Sequence, residues 1–218
     1  MQKTAQDIMN MIQNRGIQMV DFKMVDSNGQ FRLVTIPAQH FSDETMANGI
    51  GFDASNYGYA VVEKSDMVFI PDPDTAVIDP FCDVPTLSMT GNAMVIGYPE
   101  NRPLDQYPRN IVLAAERYMR DTGIADTMLI LPEFEFYLFD SASWQVTPSA
   151  IGMEVDAEQA HWNSAVNGKG VVVPRQANYH VATPFDRTYE CRSEMCMHME
   201  AAGIPIKYHH PEVGAAGQ

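Results

Sequence analysis

Two carboxylates two residues apart, Glu133 and Glu135 in Leu131-Pro132-Glu133-Phe134-Glu135-Phe136-Tyr137-Leu138-Phe139-Asp140, are residues whose type and spacing could do chemistry. Alternation sets Glu133, Glu135 and Tyr137 on one side and Phe134, Phe136 and Leu138 on the other, the period of an extended strand. Two residues of strand rise separate the backbones by roughly 6.5 Å. The two side chains can therefore converge on one small volume, where a cation would hold both ionised. A bare E-x-E is also what a strand with one core face and one wet face looks like. A third reading is a hydrolase that uses Glu133 and Glu135 as acid and base, in the manner of a glycosidase.

A second concentration lies at His209-His210-Pro211-Glu212-Val213-Gly214-Ala215-Ala216-Gly217-Gln218. Residues 204–213 alternate, so His210 and Glu212 share a face while His209 points away. Adjacent histidines on opposite faces make a poor zinc motif, and a structural or solvent-facing role is expected for His209. Glu212, before a Gly/Ala-rich turn, is a plausible third oxygen ligand for a hard divalent cation beside Glu133 or Glu135. The polar loop Gly51-Phe52-Asp53-Ala54-Ser55-Asn56-Tyr57-Gly58-Tyr59 reads, on composition, as a surface turn.

These residues need elements to position them. Thr4 can cap a helix with apolar residues at Ala5, Ile8, Met9 and Ile12 that stops at Gly16. Strands are expected over 17–24 and 31–36 around the turn Asp26-Ser27-Asn28-Gly29, and again over 67–70, 75–79, 86–90 and 93–97. One helix on several strands reads as an α+β domain. Tyr98-Pro99-Glu100-Asn101-Arg102-Pro103 marks a domain boundary, dividing the chain into 1–102 and 103–218. Pro108 opens a helix with Ile111, Val112, Ala115, Tyr118 and Met119 at helical spacing, closed by Gly123. Residues 144–178 read as an irregular excursion, and Gly168-Lys169-Gly170 as a turn, because the G-x-x-x-x-G-K spacing of a phosphate loop is absent. Asp186 is expected to cap a helix to about Ala202 that buries Tyr189, Met195, Cys196 and Met199.

Composition bounds the partners. With 28 acidic against 14 basic residues and a formal charge of -14, the chain repels nucleic acid and anionic membranes and favours cations. Three cysteines, Cys82, Cys191 and Cys196, fit a reducing, cytoplasmic setting and thiols that mostly pack. Neither a secretory leader nor a stretch of membrane-spanning length is expected.

Six blocks in order resemble a class I glutamine synthetase over nearly the whole chain: Phe52-Asp53-x-Ser55, Lys64-Ser65-Asp66-Met67, Ile78-Asp79-Pro80-Phe81, Pro132-Glu133-Phe134-Glu135-Phe136, Arg192-Ser193-Glu194-Met195 and Glu212-Val213-x-x-Ala216-Gly217-Gln218. The resemblance implies an N-terminal β-grasp domain followed by an incomplete catalytic α+β domain. It also implies ATP, glutamate and ammonium as substrates, Mg²⁺ or Mn²⁺ as cofactor, and self-association or assembly with full-length subunits. On the family pattern Glu135 and Glu212 are ligands of a first metal and Glu133 of a second, on the nucleotide phosphates. Tyr179 helps Glu212 form the ammonium pocket, and Asp53 binds ammonium and takes its proton in a neighbouring subunit's site. The loop departs from the family at Ala54 and Asn56, which stand where Gly and a second Ser are usual. The first metal is expected to need another glutamate just beyond Gln218, so these 218 residues should not complete the reaction alone. A short paralogue that docks on a full-length synthetase and modulates it is the alternative.

Overall fold

A capping box starts the first helix, α1 (Ala5–Arg15): the Thr4 hydroxyl accepts from the Asp7 amide, and the Asp7 carboxylate accepts from the Thr4 amide at 2.8 Å. Gly16 closes it in the left-handed region at φ 61°, where a glycine is favoured. The computed structural model describes residues 3–164, 172–214 and 217–218, so Gly168-Lys169-Gly170 lies outside the described residues. The chain divides into two compact units, Met1–Leu129 and Ile130–Gln218.

In the first unit β1 (Met19–Val25) and β2 (Phe31–Pro37) form an antiparallel hairpin, with Met19 opposite Pro37 and Val25 opposite Phe31. Its turn is organised by Asp26, whose carboxylate accepts the amides of Asn28 and Gln30, each at 2.9 Å, and pairs with Arg32 at 2.8 Å. The Gln30 N–H above all holds this carboxyl below the usual carboxylate range, against the cost of burial and with help from Arg32 and the Asn28 N–H.

Next come α2 (Asp43–Asn48), β3 (Ile50–Asp53), β4 (Asp66–Pro71), β5 (Val77–Ile78), β6 (Thr86–Met89), β7 (Gly91–Val95), β8 (Arg102–Pro103) and α3 (Pro108–Asp121). They complete two four-stranded sheets, ordered β2-β1-β6-β5 and β3-β4-β7-β8, with β1 and β6 parallel. One core serves both sheets: Val20, Phe22, Met24, Leu87 and Met89 from the first meet Met67, Phe69 and Ala93 from the second. The rings of Phe22 and Phe69 touch edge to face at 6.4 Å. Gly49 lets α2 run into β3, because a Cβ there would lie 2.3 Å from the Phe69 carbonyl oxygen.

The expected strands are present within a residue or two at each end. Residues 51–53, expected in a surface loop, are instead part of β3, which pairs with β4. The apolar stripe of α3 is not its buried face: Ile111, Val112 and Tyr118 are exposed, whereas Asn110 is buried and donates to the carbonyls of Ala93 (2.7 Å) and Leu104 (3.0 Å).

The second unit opens on a segment without a ladder. Residues 131–139 are not a strand, and both of the alternating faces are open, Phe134 being 81% exposed. The physical reason is the lack of a neighbour: among the described backbone bonds between segments, only the Leu138 N–H (to the Gly217 carbonyl, 3.0 Å) and the Asp140 N–H (to the Asp156 carbonyl, 2.9 Å) reach a partner here. The supposed irregular excursion contains a hairpin, β9 (Ser141–Thr147) and β10 (Ala150–Asp156), with Trp144 opposite Met153 and Val146 opposite Ile151.

Helix α4 (Tyr189–Ala201) begins later than expected, and Asp186 is not its cap. Asp186 lies two residues before the N-cap, Thr188, whose amide its Oδ1 accepts at 3.2 Å, and it forms a buried ion pair with Arg192 at 2.5 Å. Tyr189 is accordingly exposed, Met195, Cys196 and Met199 are half-buried, and Arg192 is the buried residue of the helix. Residues 204–213 form no strand either. Of the thiols, Cys82 and Cys191 are exposed rather than packed, since they fall on a turn and on the open side of α4. No helix among the described residues is long and apolar enough to cross a membrane.

Three measurements check this description. Phe69→Ala is expected to lower unfolding free energy by about 3–5 kcal/mol, read from the urea midpoint. Arg192→Met is expected to cost about 3 kcal/mol by leaving Asp186 buried and unpaired, with much of the loss recovered when Asp186→Leu is added. Because Asp26 titrates lower when folded, its stabilisation is complete above the unfolded carboxyl value of about 4 and is lost as pH falls through the folded one. Asp26→Asn should therefore flatten the acid limb of a thermal-stability profile against pH.

Candidate metal centre

Glu133, His210 and Glu212 each offer a ligand atom, and these atoms lie within 4.8 Å of one another. The chain brings them together from two stretches some eighty residues apart in sequence. The His210 Nδ1 lies 3.5 Å from Glu212 Oε1 and 3.0 Å from the Pro211 carbonyl. A carbonyl only accepts, so Nδ1 carries the proton and Nε2 the lone pair. The sequence expectation that His210 and Glu212 share a face therefore describes the arrangement, although no strand ladder produces it.

Glu135 is not in this group. Its Oε2 accepts from the Gln218 side-chain nitrogen at 3.1 Å, while Gln218 Oε1 accepts from the Gly214 amide at 2.7 Å. The Glu212 amide donates to the Gln218 carbonyl at 3.1 Å, and buried Asn178 donates to the carbonyls of Gly214 (3.1 Å) and Gln218 (3.2 Å). These bonds fold the end of the chain back beside residues 133–138. Gly217 makes the approach possible: at φ 84° a Cβ would lie 2.5 Å from the Leu138 carbonyl oxygen. Sequence reasoning singled out neither Asn178 nor Gln218 as a positioning residue. Gln218 stood in a motif block, but an isolated Asn in an irregular stretch gives no signal.

His209 faces the other way and is fully engaged. Arg192 Nε donates to its Nδ1 at 3.2 Å, so its proton sits on Nε2, which lies 3.3 Å from Ser193 Oγ. With Nε2 acting as donor, His209 cannot take a proton from Ser193, and the contacts, which run Ser193–His209–Arg192–Asp186, are not a nucleophile relay. Burial and then the Arg192 charge push its pKa down, which keeps it neutral near pH 7.

A cleft of about 930 Å³ opens beside the cluster, lined by Tyr179, His180, Tyr189, Tyr208, His209 and His210 among others. Tyr179 stacks on His180 with centroids 4.1 Å apart, and its ring meets His210 edge-on at 5.4 Å.

Asp53 lies in the first unit and is occupied by its own loop. It accepts from the Ser55 hydroxyl (2.6 Å), the Ser55 amide (2.9 Å) and the Asn56 side chain (2.9 Å). The Ser55 hydroxyl first, then that amide, hold its carboxyl below the usual range. A further trio of ligand atoms in that unit, from Asp21, Asp79 and Cys82, already has cationic company: Lys23 Nζ sits 2.6 Å from Asp79 Oδ2.

Residues 16–95 match the glutamine synthetase β-grasp domain and residues 105–218 the glutamine synthetase catalytic domain. The 3-hydroxylaminophenol mutase of Cupriavidus pinatubonensis is 35% identical, over 100% of this chain and 47% of that protein. The glutamine synthetases of Aquifex aeolicus and Escherichia coli are 38% and 36% identical, each over 99% of this chain and 46% of their own length. The chain thus spans about half the length of the curated relatives it matches. In fold, Plasmodium falciparum glutamine synthetase superposes with a TM-score of 0.76 at 16% identity, over 98% of this chain and 43% of that one. A ligand-free GmaS superposes at 0.64 with 16% identity, over 97% and 43%. An α+β chain with a β-grasp domain and part of a catalytic domain, matched by both domain families in order, belongs to the glutamine synthetase family.

Proposed function

We propose that this chain supplies the β-grasp domain, 1–102, and the first part of the catalytic domain, 103–218, of an ATP-dependent glutamate–ammonia ligase working through γ-glutamyl phosphate. The observation that carries this reading is the gathering of Glu133, Glu212 and His210 within 4.8 Å in a chain of this family. Two carboxylates and an imidazole, open to an adjoining cleft, fit a divalent cation such as Mg²⁺ or Mn²⁺. When bound, such an ion neutralises phosphoryl oxygens and holds them in line.

The chain's own residues supply the rest. On the family pattern Glu135, whose Oε2 is held by Gln218, joins Glu212 on a first metal, and Glu133 belongs to a second, on the nucleotide phosphates. Tyr179 and Glu212 border the ammonium pocket. Asp53, kept ionised by Ser55 and Asn56, presents a negative charge for ammonium in a neighbouring subunit's site. As a proton acceptor it would be weak, because the same donors that orient it lower its basicity.

A second reading has an observation in its favour. Six aromatic or imidazole rings line the cleft, and a relative with 35% identity is a 3-hydroxylaminophenol mutase. A rearrangement of an aromatic hydroxylamine at the same site would use those ring faces and need no ATP.

ATP dependence separates the two. The ligase reading expects γ-glutamyl hydroxamate from glutamate and hydroxylamine only with ATP, and only when the chain is complemented by a full-length glutamine synthetase subunit. Conversion of 3-hydroxylaminophenol without ATP would favour the mutase instead. For the cation, Mn²⁺ titrated by electron paramagnetic resonance is expected to bind the chain, and Glu212→Gln to weaken it by at least about tenfold. Unchanged binding in that variant would remove Glu212 from the site.

A further inference from the structure

Asn178, only 1% exposed, stands next in sequence to Tyr179, whose ring lines the cleft. Its side chain bonds in one direction: Nδ2 donates to the carbonyls of Gly214 (3.1 Å) and Gln218 (3.2 Å), while Oδ1 is buried with no partner among the described residues. A buried amide oxygen without a donor costs stability, so the value of this side chain lies in what Nδ2 holds. The Asn178 carbonyl accepts the Val181 amide at 3.3 Å, closing a four-residue turn with Tyr179 second and His180 third. His180 takes φ 56°, the left-handed region that residues other than glycine seldom enter and that recurs at functional sites. From this turn the His180 amide donates to the Pro211 carbonyl at 3.2 Å. Three bonds thus join the turn that carries Tyr179 to the stretch that carries Glu212.

We propose that Asn178 is a positioning residue: it fixes the distance between the Tyr179 ring and the cation beside Glu212, and with it the width of the ammonium pocket that Tyr179 and Glu212 border. The inference rests on the ligase reading above and adds the bonds that make the two sides of that pocket one rigid piece. Without Nδ2 the single bond from the His180 amide would act as a pivot. Ring contacts cannot take its place. The Tyr179–His180 stack, with centroids 4.1 Å apart, ties the tyrosine only to its own turn, and the His180–His210 edge contact at 4.3 Å lets the rings slide. A pocket for so small a ligand tolerates little slack, since a misplacement of about 1 Å is enough to cost a reaction about a hundredfold.

The test uses the full 218-residue chain with 3-fluorotyrosine incorporated and Mn²⁺ at saturation. Fluorine electron–nuclear double resonance reads the Mn²⁺–fluorine distances, and Tyr179→Phe identifies the Tyr179 signal. The parent chain is expected to give a narrow Tyr179 distribution. Asn178→Leu, which removes both donations at nearly constant volume, is expected to broaden or lengthen it by about 1 Å or more and to weaken Mn²⁺ at least about tenfold. Phe69→Ala, which destabilises the first unit, is expected to change neither, so lost stability alone does not produce the effect. Asn178→Ala is the second variant should the leucine one misfold. An unchanged Tyr179 distance in the Asn178 variant, whatever its Mn²⁺ affinity, overturns this inference alone, as does a Tyr179 signal that is absent or already broad in the parent chain with Mn²⁺ bound. No bound Mn²⁺ in the parent chain overturns it together with the cation reading.

Discussion

Two carboxylates held within 4.8 Å repel each other. The cost runs from about 1 kcal/mol where water fills the gap to about 3.5 kcal/mol where protein does. A chain left to itself would splay Glu133 and Glu212 apart, so the second unit has to impose the approach. It does so with neutral bonds around the charges. The Asn178 amide holds the carbonyls of Gly214 and Gln218, the Gly217 carbonyl takes the Leu138 amide, and Gln218 bridges Gly214 and Glu135. His210 interposes an Nδ1–H on the Glu212 side of the pair. What remains uncompensated is the negative charge of the pair.

Where the sequence could be read correctly, the determining interactions were short in range. The Thr4–Asp7 box, the Gly16 stop and the Asp26 turn each close within a few residues, so residue type and spacing suffice. Where it misled, a long-range partner overrode a local preference. Asp186 has the type of a helix cap, yet the N-cap falls two residues later at Thr188, and the Asp186 carboxylate holds the Arg192 guanidinium as well as the Thr188 amide. Residues 131–139 alternate as a strand should, but alternation describes faces, and a strand also needs a neighbour to bond. The β9–β10 hairpin was legible in principle, since Trp144 and Val146 alternate on one arm and Ile151 and Met153 on the other. Its short Thr147-Pro148-Ser149-Ala150 connection gave no glycine to mark the turn.

The candidate site was half legible for a related reason. Glu133, Glu135 and Glu212 are acids in motif blocks and announce themselves. Their division of labour does not follow from spacing, because Glu133 and Glu135 sit two residues apart yet find different partners, His210 with Glu212 in one case and Gln218 in the other. Family membership leaves the reaction open as well, since relatives with 35% and 38% identity carry the names of a mutase and a ligase.

The adjacent histidines show how one step along the chain divides structural from chemical duty. His209 turns toward α4, where Arg192 takes Nδ1 and Ser193 faces Nε2; with both nitrogens bonded and its charge disfavoured by burial and Arg192, it is a fixed strut. His210 turns toward Glu212 and His180, with Nδ1 spent on the Pro211 carbonyl and Nε2 left with a lone pair. The buried Asp186–Arg192 pair thus reaches the cluster through a neutral ring: it anchors His209, and the backbone carries that constraint to His210 one residue later. Arginine serves here where lysine would not, because its planar fork binds the Asp186 carboxylate through two nitrogens while Nε addresses the imidazole. An ion-pairing group that could shed its proton would make the orientation of His210 depend on pH. A guanidinium, always charged, keeps that constraint on the backbone in place wherever the protein is folded.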